Sequence, residues 1–174
     1  MHINFLQAAQ YESTIDLLYD IGTHYNGAHA ATREVVKAHF MSQLLAADSA
    51  VRIVVAMCDD GMVTGLIAIT IFHSFVNPVA GESGQLFIKE LYVHSNARRT
   101  GVGEALMQWA ARYALNNGCA RMDWHVMAYN DKARNFYESL GAAHVAERLH
   151  YRLDGENLAR LGSLTNLNKG DEST

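Results

Sequence analysis

A short basic segment with two glycines is the part of the sequence best suited to bind an anion. Arg98-Arg99-Thr100-Gly101-Val102-Gly103 lies between an expected strand and the start of an expected helix. Glycines let backbone N–H groups close around an anion, and the helix adds the positive end of its dipole. The arginines supply charge-assisted donors. The segment therefore predicts a phosphate or pyrophosphate site, although a glycine pair before a helix also fits a plain turn.

A dinucleotide site is the first alternative, because Asp123 follows Gly103 by 20 residues, as that fingerprint requires. Three features oppose it. No third glycine occurs in Gly101-Val-Gly-Glu-Ala-Leu106, the stretch between Val93 and the glycines is long and basic, and Asp123 falls inside its expected strand. A nucleotide-binding P-loop is excluded because no Gly-Lys-Ser/Thr is present.

The elements around this segment alternate between helical and strand periodicity. The order is strand, two helices, three strands, helix, strand, helix and further strands, which predicts a mixed, mostly antiparallel α/β sheet of six or seven strands with helices on both faces. Asp59-Asp60-Gly61 is the expected hairpin turn, and Asn130 and Gly141 are the expected ends of the last helix. The expected helices are 13–25, 32–46 and 101–117, and the expected strands are 51–57, 62–72, 86–93, 120–127, 142–147 and 149–153.

Composition favours one globular domain with a small-molecule partner. The chain has 174 residues, of which 49% are hydrophobic and 18% charged, so we expect a single domain over 1–162 and a polar tail over 163–174. A net charge of −4 opposes nucleic-acid binding and favours a cationic ligand. No signal peptide or membrane span is visible, which makes a cytoplasmic location the expectation.

Cysteines and histidines give no sign of a disulfide framework or a metal site. We expect Cys58 and Cys119 to be reduced core thiols. The nine histidines lack metal-ligand spacing, and no Cys-x-x-Cys occurs, so surface or capping roles are expected. The histidines considered are His24, His29, His39, His125, His144 and His150.

Two blocks within residues 86–153 resemble the GNAT superfamily of acetyl-CoA-dependent N-acetyltransferases. The first is Glu90-Leu-Tyr-Val93 followed by Arg98-x-x-Gly101-x-Gly103. The second is Asn130-Asp-Lys-Ala-Arg-Asn-Phe-Tyr-Glu-Ser-Leu-Gly-Ala142, in which the Asn, Ala, Phe-Tyr and Leu-Gly-Ala fall at the family spacing. The resemblance implies the family's α/β fold and activity.

Within the superfamily, the second half is most similar to the spermidine/spermine and thialysine acetyltransferases. Lys89-Glu-Leu-Tyr-Val93, Ala128-Tyr-Asn130 and Tyr151-Arg-Leu-Asp-Gly155 carry this similarity. Arg99 stands where the family loop often has glycine, a replacement that should be tolerable if the backbone of Arg99 is right-handed. Tyr129 stands where the family often has tryptophan.

The resemblance implies a binding site for acetyl-CoA as co-substrate, without a metal. Backbone groups of Leu91, Tyr92 and Val93 would bind the pantetheine arm, and Asn130 and Tyr137 would contact the cofactor. Dimers are common in the family, so a homodimer is expected. The residues implied for the pyrophosphate are Arg98, Arg99, Thr100, Gly101, Val102, Gly103 and Glu104.

The resemblance implies that Tyr137 lies near the thioester sulfur, and chemistry gives a physical reason for candidate roles of Glu90 and Tyr137. An alkylammonium with a pKa near 10.4 must lose a proton before attack, which costs about 4.6 kcal/mol at pH 7. Glu90 is the candidate for binding the acceptor or removing this proton, and a solvated strand carboxylate is the alternative. Tyr137 is the candidate acid for the leaving thiolate, and a core aromatic beside Phe136 is the alternative.

The predicted function is therefore transfer of an acetyl group to a primary amine of a diamine, polyamine or lysine analogue within a ternary complex. Asp16 and Asp20, one helical turn apart, could receive a second ammonium or form a solvated face. Aminoglycoside or peptide amines are alternative acceptors. A non-catalytic acetyl-CoA-binding module and a nicotinamide oxidoreductase are the alternatives from other classes.

Overall fold

The computed structural model describes residues 1–163, which form two compact units, one of residues 1–134 and one that begins at Asn135. The expected tail over 163–174 therefore lies almost entirely outside the described residues. The strands are β1 His2–Phe5, β2 Arg52–Met57, β3 Val63–His73, β4 Gly84–Val93 and β5 Cys119–Trp124. The helices are α1 Tyr11–Asn26, α2 Arg33–His39, α3 Val102–Asn116, α4 Asp131–Ser139 and α5 Gly155–Gly162.

The sheet of the first unit has five strands in the order β1-β2-β3-β4-β5. The first four strands pair antiparallel, and β4 and β5 pair parallel, with α3 as the connection between them. This confirms a mixed, mostly antiparallel α/β sheet. The strand count of six or seven is wrong for the described chain.

Helices cover both faces of this sheet. Ile53, Val55 and Leu66 belong to a buried cluster with Ile15 and other residues of the N-terminal helices. Neighbouring strand positions point to the opposite face. There, Phe5 packs edge-on against Trp109 of α3 at a ring distance of 5.0 Å, and a Cβ at Gly65 would contact Val102 and Leu106 of α3.

Two predicted strands that the structure lacks, 142–147 and 149–153, fall in the second unit. Residues 142–154 form neither helix nor strand, although 142–147 and 149–153 have strand periodicity. A strand pattern produces a strand only where a second strand offers a backbone ladder, and the described residues pair none with this segment. Helix α5 follows and was not expected.

Smaller departures concern the ends of elements and one cysteine. The expected helix 32–46 is α2 followed by a π-helical turn over Phe40–Leu44. Cys119 is buried as expected, whereas Cys58 is half-buried in a turn and donates its S–H to Asp60 at 2.8 Å, so it is not a core thiol. Both thiols are unbridged.

Residues 1–163 contain neither a membrane-crossing helix nor a cluster of metal ligands. None of their helices combines the length and the apolar character that crossing a bilayer requires. Their His, Cys, Asp and Glu side chains form no group of three or more that could hold a metal ion.

Candidate active site

The central feature of the site is the point where β4 and β5 separate. The parallel pairing starts at Gly84 with Cys119 and ends at Ile88 with Trp124. Strand β4 continues to Val93, paired with β3 alone. One backbone edge of residues 89–93 therefore has no strand partner in the described sheet, and an extended ligand with amide groups can bind such an edge. The predicted Leu91, Tyr92 and Val93 all lie on this segment.

A β-bulge marks the same point. Ala68 pairs with Glu90 and Ile69 pairs with Ile88, which leaves Lys89 as the extra residue in β4. A bulge bends its strand and redirects the neighbouring side chains, and bulges are common beside active sites. Here the side chain of Lys89 is exposed and that of Glu90 is half-buried.

The carboxyl group of Glu90 is half-buried and has a raised pKa. No hydrogen bond or ion pair to it occurs among residues 1–163. Burial raises its pKa above the usual value, and the positive charge of Lys89 opposes that rise only in part. A half-buried carboxylate with a raised pKa and no partner can bind an ammonium group and can accept its proton near neutral pH.

One tyrosine near Glu90, Tyr25, was not found from the sequence. Burial raises the pKa of Tyr25, at the end of α1, and the negative charge of Glu90 raises it further. Tyr92 and Tyr129 raise the pKa of Tyr25 by smaller amounts, which puts all three phenols in one neighbourhood. Nothing local in the sequence marks Tyr25, because its role depends on the packing of α1 near β4.

The anion-binding segment begins with an arginine anchored to the end of β4. The Arg98 side chain donates from Nε to the Val93 carbonyl at 3.1 Å, and its guanidinium lies 5.4 Å from the centre of the Tyr92 ring. The Thr100 hydroxyl donates to the Ala97 carbonyl at 2.7 Å. These bonds fix the segment against the strand end that carries the unpaired edge.

Two residues with left-handed backbone shape this segment. Gly101 is left-handed, with φ 88°, and is the N-cap of α3. Arg99 is also left-handed, with φ 63°, so the right-handed backbone on which its easy tolerance depended is not present. Left-handed residues in tight turns help to form concave sites of backbone N–H groups, which suit anions. Arg99 thus adopts a conformation that favours glycine, at a cost of about 1–2 kcal/mol.

The acidic residues of α1 already have partners. Asp16 accepts from Arg33 at 2.6 Å, and Arg33 also binds Glu12 at 2.9 Å. Asp20 lies 3.0 Å from Nε2 of His94, whose Nδ1 accepts the N–H of Asn96. Both carboxylates are thus engaged by basic side chains, while 63% of the Asp16 side chain and 43% of the Asp20 side chain remain exposed.

The ends of α4 are formed as predicted. The Asn130 side-chain oxygen accepts the N–H of Ala133 at 3.1 Å, which confirms the N-cap, and Gly141 has φ 86° after the helix end. In the second unit, the rings of Phe136 and Tyr137 lie 5.2 Å apart and both are only half-buried. Neither is a fully buried core aromatic. The role of Tyr137 as an acid remains a prediction.

Comparison with protein families identifies the fold and the chemistry. Residues 16–142 match the Acetyltransferase (GNAT) family. The chain belongs to this family. GNAT acetyltransferases use acetyl-CoA as co-substrate. Loops at helix N-termini are common binding sites for phosphate groups, and unpaired strand edges can bind extended ligands with amide groups.

Similar proteins include two curated enzymes and one solved structure. The chain is 33% identical over 79 residues to mouse thialysine N-epsilon-acetyltransferase, covering 44% of this chain and 46% of that protein. It is 33% identical over 78 residues to L-ornithine N5-acetyltransferase of Arabidopsis thaliana, covering 45% and 34%. The matches thus span less than half of either relative. An integron cassette protein from the mobile metagenome of V. cholerae has a TM-score of 0.85 and 28% identity, covering 93% of this chain and 97% of that one.

Proposed function

We propose that this GNAT acetyltransferase transfers the acetyl group of acetyl-CoA to the primary amine of a small cationic acceptor, directly and within a ternary complex. The observation that carries the proposal is the half-buried, unpartnered Glu90 carboxylate at the point where β4 leaves β5. A carboxylate in that position recognises an ammonium group and lowers the cost of deprotonating it. A protein that only bound acetyl-CoA would have no use for it.

The other site residues complete the reaction. When bound, the co-substrate supplies an acetyl thioester. The backbone of Leu91, Tyr92 and Val93 binds its arm, and the N–H near Val93 stabilises negative charge that develops on the thioester carbonyl. Residues 98–104 bind the pyrophosphate. Glu90 takes the acceptor's proton, and Tyr137 gives a proton to the leaving thiolate.

The charges around α1 favour a short acceptor. A long polyamine needs an open carboxylate for its second ammonium, but Arg33 engages Asp16 and His94 engages Asp20. Glu90 therefore recognises one ammonium, beside the aromatic ring of Tyr25. A lysine or ornithine analogue fits these constraints better than spermidine, in agreement with the names of the two curated relatives.

The first test is thiol release from acetyl-CoA with thialysine, ornithine, putrescine, spermidine, an aminoglycoside and a lysine peptide. We expect turnover with the amino-acid amines and a lower kcat/KM for spermidine. Preference for the aminoglycoside or the peptide would replace the proposed acceptor class. Acetyl-CoA binding without turnover on any amine would favour the non-catalytic module.

Tyr137→Phe tests the proposed acid. We expect kcat to fall about 100-fold with little change in the Kd for acetyl-CoA, because the ring remains and only the proton donor is lost. The matched control is Tyr113→Phe, whose hydroxyl accepts from Arg52 on the α3 side of the sheet and takes no part in the reaction. Equal losses in kcat and affinity, or no loss at all, would remove Tyr137 from the acid role.

A further inference from the structure

A polar pocket lies beside the C-terminal end of α3, where β2, β3 and α3 meet. Its volume is about 340 Å³, and its lining includes Arg52, Thr70, His73, Tyr113 and Asn117. Pockets that bind small molecules begin at about 300 Å³. None of the residues that line it is acidic, although the whole chain has a net charge of −4. The lining therefore suits an anion and not a cation.

This pocket is separate from the site around Glu90 and from the anion loop. Ala68 pairs with Glu90, and residues directly opposite each other in a sheet share a face. Ile69, which lines the pocket, follows Ala68 and therefore lies on the other face, under α3. Along α3, Tyr113 lies about 17 Å from the first turn of the helix, which follows the anion loop.

The backbone of β3 is open beside the pocket. The pairing of β2 with β3 begins at Arg52 with Ile69, whereas β3 continues to His73. Val51 does not extend the pairing, because its N–H donates to the Ser49 hydroxyl at 3.3 Å and its carbonyl accepts from that hydroxyl at 3.4 Å. One backbone edge of residues 70–73 therefore has no strand partner in the described sheet.

The guanidinium of Arg52 is held in one orientation. Its Nη1 donates to the Tyr113 hydroxyl at 2.6 Å, and its central carbon lies 6.0 Å from the centre of the Phe5 ring. The Tyr113 ring is itself fixed, because it stacks on Trp109 with the ring centres 5.2 Å apart. Aromatic contacts therefore set the position of both partners.

The other nitrogens of Arg52 have no acceptor within residues 1–163. No carboxylate of that part of the chain pairs with Arg52, and its Nε and Nη2 make no hydrogen bond there. Two parallel N–H donors of a guanidinium match the two oxygens of a carboxylate. A fork that is already oriented loses little freedom when an anion binds.

The end of α3 does not cancel this positive charge. Asn117 donates from its backbone nitrogen and from Nδ2 to the Tyr113 carbonyl, at 3.1 and 2.7 Å, and the Gly118 N–H donates to the Leu115 carbonyl at 3.1 Å. These bonds occupy carbonyl groups at the negative end of the helix dipole. Arg52 therefore dominates the charge of the pocket.

We propose that this pocket binds a small aliphatic carboxylate. The Arg52 fork binds the carboxylate oxygens, and the Tyr113 hydroxyl, which accepts from Arg52, still has its own proton to donate. Ile69 and Ile71 contact the carbon chain, and the open edge of β3 offers backbone N–H groups. The proposal does not depend on the acceptor or on Glu90.

The first test is a titration of the full chain with succinate, followed by ¹H–¹⁵N NMR at constant ionic strength. We expect saturable shifts at the Arg52 Nε–H and the Ile71 amide, with a Kd on the order of 1 mM. Arg52→Gln should raise this Kd about tenfold or more. The matched control is Arg112→Gln, an equal loss of charge at an exposed position of α3 outside the lining, which should leave the Kd unchanged. No saturable shift at these two groups, or an equal Kd for both variants, would overturn the proposal.

Tyr113→Phe tests the orientation of the fork without removing its charge. We expect a severalfold rise in the Kd for succinate, because Arg52 loses the oxygen that holds it. An unchanged Kd would show that the orientation does not matter and would contradict the preformed fork. Inorganic phosphate should bind more weakly than succinate, and tighter binding would overturn the choice of a carboxylate. Acetyl-CoA should not displace succinate from Arg52, and displacement would show that the pocket belongs to the co-substrate site. All these readouts are binding constants, so failure of the acetyltransferase proposal would be separately visible.

Discussion

The two halves of β4 differ in what holds them, although they are one continuous strand. Residues 84–88 pair on both sides, with β3 and β5, and their alternate positions Gly84, Leu86 and Ile88 are buried. Residues 89–93 pair on one side only and carry the half-buried Glu90. The bulge at Lys89 separates them. The first half is fixed by packing, and the second leaves backbone and side-chain groups available to ligands.

If this division is correct, Glu90→Gln should change the chemistry and not weaken the fold. We expect kcat/KM to fall about 100-fold or more, because the amide cannot accept the acceptor's proton. The rise of kcat/KM with pH in the unmodified enzyme, where the raised pKa of Glu90 governs its ionisation, should be lost. Glu156→Gln on α5 is the control and should keep full activity.

Glu90→Gln should lower activity but raise stability at neutral pH. A carboxyl whose pKa is raised on folding contributes stability below its unfolded value, near 4.5, and loses that contribution as the pH rises through the folded pKa. The variant should therefore be more stable than the unmodified protein at neutral pH, and thermal unfolding should show this difference disappear in acid. Lower stability at neutral pH would assign Glu90 to the packed half.

Gly84→Ala, in the doubly paired half of β4 (residues 84–88), should lower stability. A Cβ there would lie 2.5 Å from the Gly118 carbonyl oxygen and 2.9 Å from the Cys119 Cα, so backbone must move. We expect the free energy of unfolding to fall by about 2–3 kcal/mol, measured by urea denaturation. Gly22→Ala in α1, where a Cβ meets nothing within 4 Å, is the control and should be neutral or stabilising. Equal stability of the two variants would mean that the β4–β5 contact is loose.

The sequence was informative where function depends on local chemistry. The anion loop, Glu90 and the Asn130 cap all have signals within a few residues. The structure confirms the Asn130 cap and puts Gly101 at the start of α3, whereas anion binding by the loop stays a prediction. Tyr25 and the bulge at Lys89 were missed because they depend on which strand or helix lies opposite, which short windows of sequence do not contain. The strands at 142–147 and 149–153 were predicted from periodicity alone, and periodicity does not supply a partner.

Gly101→Val should show whether acetyl-CoA binding depends on the backbone conformation of the loop, because a side chain at this position meets no steric obstacle. A Cβ at Gly101 meets no atom within 4 Å, but φ 88° is strongly unfavourable for a β-branched residue. We expect the loop to change shape and the Kd for acetyl-CoA to rise about tenfold or more, measured by calorimetry. Gly118→Val, with φ 70° and equally open surroundings at the other end of α3, should lose comparable stability and keep its affinity. Equal affinities would place the pyrophosphate elsewhere.

The smallest expected effect concerns Arg99, where strain and binding oppose each other at one residue. Arg99→Gly removes the cost of a left-handed side chain, so we expect about 1 kcal/mol of added stability, less what the freer unfolded chain takes back. It also removes a cation beside the loop, so the Kd for acetyl-CoA should rise severalfold, and the rise should shrink at high salt. Arg99→Lys keeps the charge and the strain and should change neither quantity much. If Arg99→Gly gained stability without losing affinity, the arginine would be a tolerated departure from glycine and not a phosphate ligand.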